Sequence, residues 1–134
     1  MATYGQRTPK LKGRITVPHA TAHAACLAAT EIGAKLIVCL TRSGRTASLV
    51  SRKRPDVPIV ALTPQSWTYS RLALEWGVTP LRVPEVEHAG QLAAMANKAL
   101  REGGLIRPGE SYVLVAGDTV APGATNTIRI LPAS

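Results

Sequence analysis

A chain of 134 residues is long enough to bury one real core, and 46% apolar residues with only 4% aromatics and no Phe mean a core of Ala, Val, Ile and Leu. Sixteen Lys and Arg against eight Asp and Glu give a formal charge of +8. No apolar run nears bilayer length and no hydrophobic leader follows Met1, so a cytoplasmic protein is expected rather than a membrane or secreted one.

Residues 1–14 carry Gly, Pro and four cations (Arg7, Lys10, Lys12, Arg14) without apolar periodicity, and read as a flexible tail or linker before a domain spanning 15–134. Thr16 and Pro18 start a helix that runs to Gly33. His19, His23 and Cys26 share one face of it, a zinc-ligand pattern lacking a fourth member; a packed small-residue helix is the plainer reading. Cys26 and Cys39 are expected as free thiols.

A strand at Lys35–Leu40 follows, then a polar turn and a helix from Gly44 to Lys53, stopped by Pro55. Pro58–Leu62 is a second strand. Thr63 and Pro64 open a helix predicted over Gln65–Trp76, with Trp67, Tyr69 and Trp76 assigned to packing and helix ends. Val78–Val83 is a third strand, weakened by Pro80. The stripe Leu92, Ala93, Ala96, Ala99 and Leu100 predicts a long helix over Val86–Arg101, closed by Gly103 and Gly104. Tyr112–Ala116 is a fourth strand, and the loop Gly117–Thr125 leads to a fifth, Asn126–Leu131.

Strands alternating with helices imply an α/β three-layer sandwich: a five-stranded, mostly parallel sheet with helices on both faces. The last connection has no helix, so the fifth strand is expected to run antiparallel at an edge. Ligands of such sheets sit beyond the carboxyl ends of the strands, where the loops after strands one and four would meet.

The first of those loops carries the chemistry. Thr41, Arg42, Ser43, Gly44, Arg45 and Thr46 put hydroxyls, guanidiniums and a glycine where a buried strand feeds a helix, an arrangement suited to a phosphate. In that reading Thr41, Ser43 and Thr46 donate hydroxyls, the amides of Gly44 and Arg45 close on phosphate oxygens, and Arg42 or Arg45 balances charge. The other reading is that Thr41 and Ser43 only cap the helix while the arginines lie in solvent. Five cations (Arg42, Arg45, Arg52, Lys53, Arg54) lie on or beside this helix, but no aromatics interleave them, which argues against a nucleic-acid partner.

VPHATAHAACLAATEIGAKLIVCLTRSGRTASLVSRKRPDVPIVALTP, RLALEWGVTPLRV and RPGESYVLVAGDTVAPGATNTIRIL together resemble the C-terminal domain of pyruvate kinase from about Ile15 to Leu131, with TRSGRTA and PGATNTIRI as the family hallmarks. The resemblance implies a regulatory domain that binds a phosphorylated effector, such as fructose 1,6-bisphosphate, a sugar monophosphate or AMP, and contributes to a tetramer interface. It maps the effector phosphate onto Thr41, Arg42, Ser43, Gly44, Arg45 and Thr46, and a closing loop onto Gly117, Asp118, Thr119, Gly123, Ala124 and Thr125. Bisphosphate-activated members add a Trp and an Arg after the third strand where this chain has PEVEHAGQ, so a ligand with one phosphate is expected.

In the full-length family, phosphoenolpyruvate and ADP become pyruvate and ATP in glycolysis, using Mg²⁺ and K⁺ held by a (β/α)₈ barrel of about 250 residues. No such room exists here, so no catalytic residue, cofactor or metal is assigned and no kinase activity is expected from these residues alone. The alternative function is an oligomerisation module, or one that docks on a catalytic barrel, with an empty effector site. A small phosphate-ester hydrolase is a third class, for which the sequence offers no base except Asp118.

Overall fold

One sheet with strand order β3-β2-β1-β4-β5 organises the computed structural model, which describes residues 16–86, 89–117 and 125–133. The strands are β1 (Leu36–Leu40), β2 (Ile59–Thr63), β3 (Val78–Arg82), β4 (Ser111–Gly117) and β5 (Thr125–Pro132). The first four are mutually parallel; β5 pairs antiparallel with β4, as the missing crossover helix requires. Among the described residues the α-helices are α1 (Val17–Ile32), α2 (Arg45–Arg52), α3 (Ser66–Leu72) and α4 (Leu92–Glu102).

Alternation along the strands splits the core in two. Ile37 and Cys39 of β1 and Val113 and Val115 of β4 face Ala22, Ala25 and Ala29 of α1, Ala47 and Val50 of α2 and Leu72 of α3. Leu36, Val38, Val60, Leu62, Tyr112 and Leu114 point the other way, toward Leu92, Ala96 and Leu100 of α4. Alanines let α1 lie close on the sheet, and Tyr112, the aromatic among the fully buried residues, donates its hydroxyl to Asn97 Oδ1 at 2.7 Å.

The ends of α1 follow from local chemistry. Thr16 Oγ1 accepts the His19 amide at 3.3 Å, and Gly33, at φ +68°, closes the helix in the left-handed region. Two other helices differ from expectation. The helix predicted over Gln65–Trp76 stops at Leu72, because residues 73–77 tighten into i to i−3 turns (Leu74 to Arg71, Glu75 to Leu72) that bring the Gly77 carbonyl onto the Ile59 amide at 3.1 Å. The helix predicted from Val86 begins only at Leu92, after a 3₁₀ turn at Ala89–Gln91; Glu85 is instead drawn across the carboxyl edge of the sheet to Arg42.

Of the aromatics assigned to packing and helix ends, Trp67 and Trp76 do lie about the two ends of α3, but on the surface rather than in the core. Trp67 is 60% exposed, and Trp76 lies half-exposed beneath the Arg54 guanidinium at 4.4 Å. Among the described residues no helix is long and apolar enough to cross a membrane. The predicted tail, residues 1–14, lies outside the described residues.

Candidate functional site

The chain advances from β1 through α2 and α3 toward the β3 edge, then returns by α4 over the opposite face to β4, on the other side of β1. The direction of winding therefore switches between β1 and β4, and a crevice beyond their carboxyl ends is where open α/β sheets hold ligands. Residues 41–46 leave β1 at that point, and β4 ends alongside.

Thr41 is buried, takes the Leu62 carbonyl through its amide at 3.0 Å, and accepts the Gly44 amide on Oγ1 at 2.8 Å. Gly44 is the N-cap of α2 at φ +90°, a conformation that excludes most side chains, and a Cβ there would collide with Nη2 of Arg71 and lie 3.3 Å from Cδ2 of Leu72. Ser43 is exposed, and its Oγ accepts the Arg45 amide at 3.3 Å, the long end of hydrogen bonding. Thr46 is buried in the first turn of α2, and Arg45 is exposed beside it.

Several of the expected site groups already have partners within the protein. The Gly44 amide donates to Thr41 Oγ1 at 2.8 Å, whereas the Arg45 amide is engaged only by the long, exposed contact to Ser43 Oγ. Thr41 builds the turn from within and presents little surface. Arg42 is paired: its Nη1 and Nη2 donate to Oε2 and Oε1 of Glu85 at 2.9 and 2.5 Å. With both side chains half exposed, that pair contributes about 0–1 kcal/mol and acts mainly as a positional tie. Of the expected closing loop, the backbones of Gly117 and Thr125 pair across β4 and β5 beside a register shift, while Asp118, Thr119, Gly123 and Ala124 lie outside the described residues.

Two residues of α3, unsuspected from sequence, hold the turn from outside. Thr68, fully buried, donates Oγ1 to the Arg42 carbonyl at 2.6 Å, and Arg71 donates Nη2 to the Ser43 carbonyl. They stand 26 and 28 residues from their partners, and Glu85 stands 43 from Arg42, so no local pattern announces them.

No group of three His, Cys, Asp or Glu that could hold a metal occurs among the described residues. Cys26 and Cys39 are free thiols, as expected. Burial, and next the nearby Cys26, push the Cys39 thiol far above its ordinary range; burial raises Cys26 too, against the opposing charge of Lys53. Neither is an activated nucleophile.

Comparison with known proteins agrees with this architecture. The family described as "Pyruvate kinase, alpha/beta domain" matches residues 19–131. A pyruvate kinase of Agrobacterium vitis is 42% identical over 119 residues, one of Lactococcus lactis subsp. lactis 35% over 127, and one of Thermotoga maritima 37% over 115. These alignments cover 88%, 95% and 86% of this chain but 25% of each relative, so the chain spans about a quarter of the length of the curated relatives it matches. A four-parallel, one-antiparallel sheet, the strand–turn–helix at 36–52 and a match across nearly the whole fold lead to one assignment: the chain belongs to the pyruvate kinase alpha/beta domain family.

Proposed function

We propose that this domain is the regulatory unit of a pyruvate kinase and that the turn after β1 binds a small metabolite bearing one phosphate. The observation that carries the reading is positional: a left-handed glycine opens the N-terminus of α2 at the switch between β1 and β4, with Ser43 and Arg45 on its exposed rim. The helix dipole favours an anion there. Thr41, Gly44 and Thr46 form the frame, and the long Ser43 contact to the Arg45 amide is one that a charged oxygen would replace at little loss, since charge-assisted bonds are roughly twice as strong as neutral ones. Phosphoryl transfer from phosphoenolpyruvate to ADP, in this reading, belongs to a (β/α)₈ barrel with its own Mg²⁺ and K⁺, and this domain answers to the effector and to neighbouring subunits.

A thermal-shift screen with AMP, ribose 5-phosphate, glucose 6-phosphate and fructose 1,6-bisphosphate tests it. A rise in melting temperature with a monophosphate, lost in Ser43→Ala combined with Arg45→Gln, is expected. No rise with any of the four would leave the second reading, a docking or self-association module. That reading draws on the engaged Gly44 and Arg45 amides and on exposed apolar side chains such as Leu74, 88% exposed.

A further inference from the structure

Three guanidiniums surround the turn, and they differ in charge and in constraint. Arg42 is fixed but neutralised, since both carboxylate oxygens of Glu85 meet it. Arg45 is exposed and charged, and no hydrogen bond or ion pair tethers its side chain among the described residues. Arg71 combines the useful halves of both. It is charged, because its partner is the neutral Ser43 carbonyl and no carboxylate reaches it among the described residues. It is also held, because the same bond anchors Nη2 while the missing side chain of Gly44 leaves the space that its guanidinium fills.

A guanidinium has five N–H donors in a rigid fork, and a carbonyl occupies one of them. The others suit two oxygens of a phosphomonoester, which carries about 1.5 to 2 negative charges at neutral pH. A cation already fixed at the rim loses less freedom on binding than a loose one, and this preorganisation favours Arg71 over Arg45. From this we infer that Arg71 is the residue that recognises the ligand's phosphate, with Gly44 kept free of a side chain to admit it and Arg42 serving to hold the segment after β3. The inference rests on the turn being a phosphate site and adds which cation reads the phosphate.

Calorimetric titration of the 134-residue chain with ribose 5-phosphate, at several salt concentrations, tests it. Arg71→Gln should weaken binding about tenfold or more and flatten the salt dependence, since a charge-assisted contact is lost. Arg71→Lys, which keeps the charge without the fork, should fall between. Arg52→Gln, which removes the same charge at the far end of α2, should change affinity less than about threefold, because exposed charges a helix length away are screened. Arg71→Gln no weaker than Arg52→Gln, or an unaltered salt slope, overturns the inference. If Ser43→Ala weakens ribose 5-phosphate while Arg71→Gln does not, the phosphate site stands and the role of Arg71 falls. If the unmodified chain binds no ribose 5-phosphate, both fall together.

Discussion

The units β1–α2 and β2–α3 begin alike and end as different devices. Each strand runs into a buried threonine whose hydroxyl accepts a main-chain amide: Thr41 takes Gly44 at 2.8 Å, and Thr63 takes Gln65 at 3.2 Å. After Thr63 the chain turns at Pro64 and enters α3 with no left-handed residue. After Thr41 it takes a longer path through Gly44 at φ +90°, which leaves Ser43 and Arg45 exposed at the mouth of α2. The plain unit then braces the open one, because Thr68 and Arg71 of α3 bond the carbonyls of Arg42 and Ser43. A one-glycine difference converts a connector into a candidate site, and its neighbour supplies the rigidity.

The comparison breaks most severely at Gly44. Gly44→Val puts a β-branched side chain at a positive φ and into the Arg71 guanidinium, and should destabilise the fold by roughly 2–4 kcal/mol in chemical denaturation while displacing Arg71. Thr41→Val strands a buried amide and should lose about 1–3 kcal/mol; Thr63→Val should lose less, because the Gln65 amide is only part-buried and water can replace the hydroxyl. Equal losses at the two threonines would remove the distinction drawn between the turns.

Alkaline pH distinguishes the strands themselves. Cys39 of β1 pairs in register with Ala61 of β2, and burial holds its thiol protonated in the fold well above the ordinary value of 9.0. Below pH 9.0 both folded and unfolded thiols are protonated and nothing is lost. Above it the unfolded thiol ionises first, so stability should fall by up to about 1.4 kcal/mol per pH unit, and Cys39→Ala should flatten that slope in denaturation curves taken from pH 8 to 10. The smallest effect is expected at Glu85→Gln, under about 1 kcal/mol, since the pair with Arg42 is half exposed; 1 M salt should erase the difference.

What the sequence disclosed was governed by range. The run Leu36–Leu40, the Thr16 and Gly33 caps of α1 and the antiparallel direction of β5 depend on neighbours a few residues apart, and each was readable. The end of α3 and the start of α4 were not, because the Gly77 carbonyl must reach Ile59 and Glu85 is taken by Arg42, both tertiary events. The turn was legible by composition, but which of its groups the protein itself engages was not. Hydroxyls that looked ready for a ligand are in part spent inside the protein, and the bracing residues Thr68 and Arg71 lie in a helix whose spacing suggested only packing.

Amide resonances of Ser43, Gly44, Arg45 and Thr46, followed by two-dimensional NMR during titration with ribose 5-phosphate and with ribose, test the phosphate site most directly. Saturable shifts centred on those four amides with the phosphorylated sugar and none with ribose are predicted. Spectra that do not move with ribose 5-phosphate, or that move only elsewhere in the domain, would contradict it.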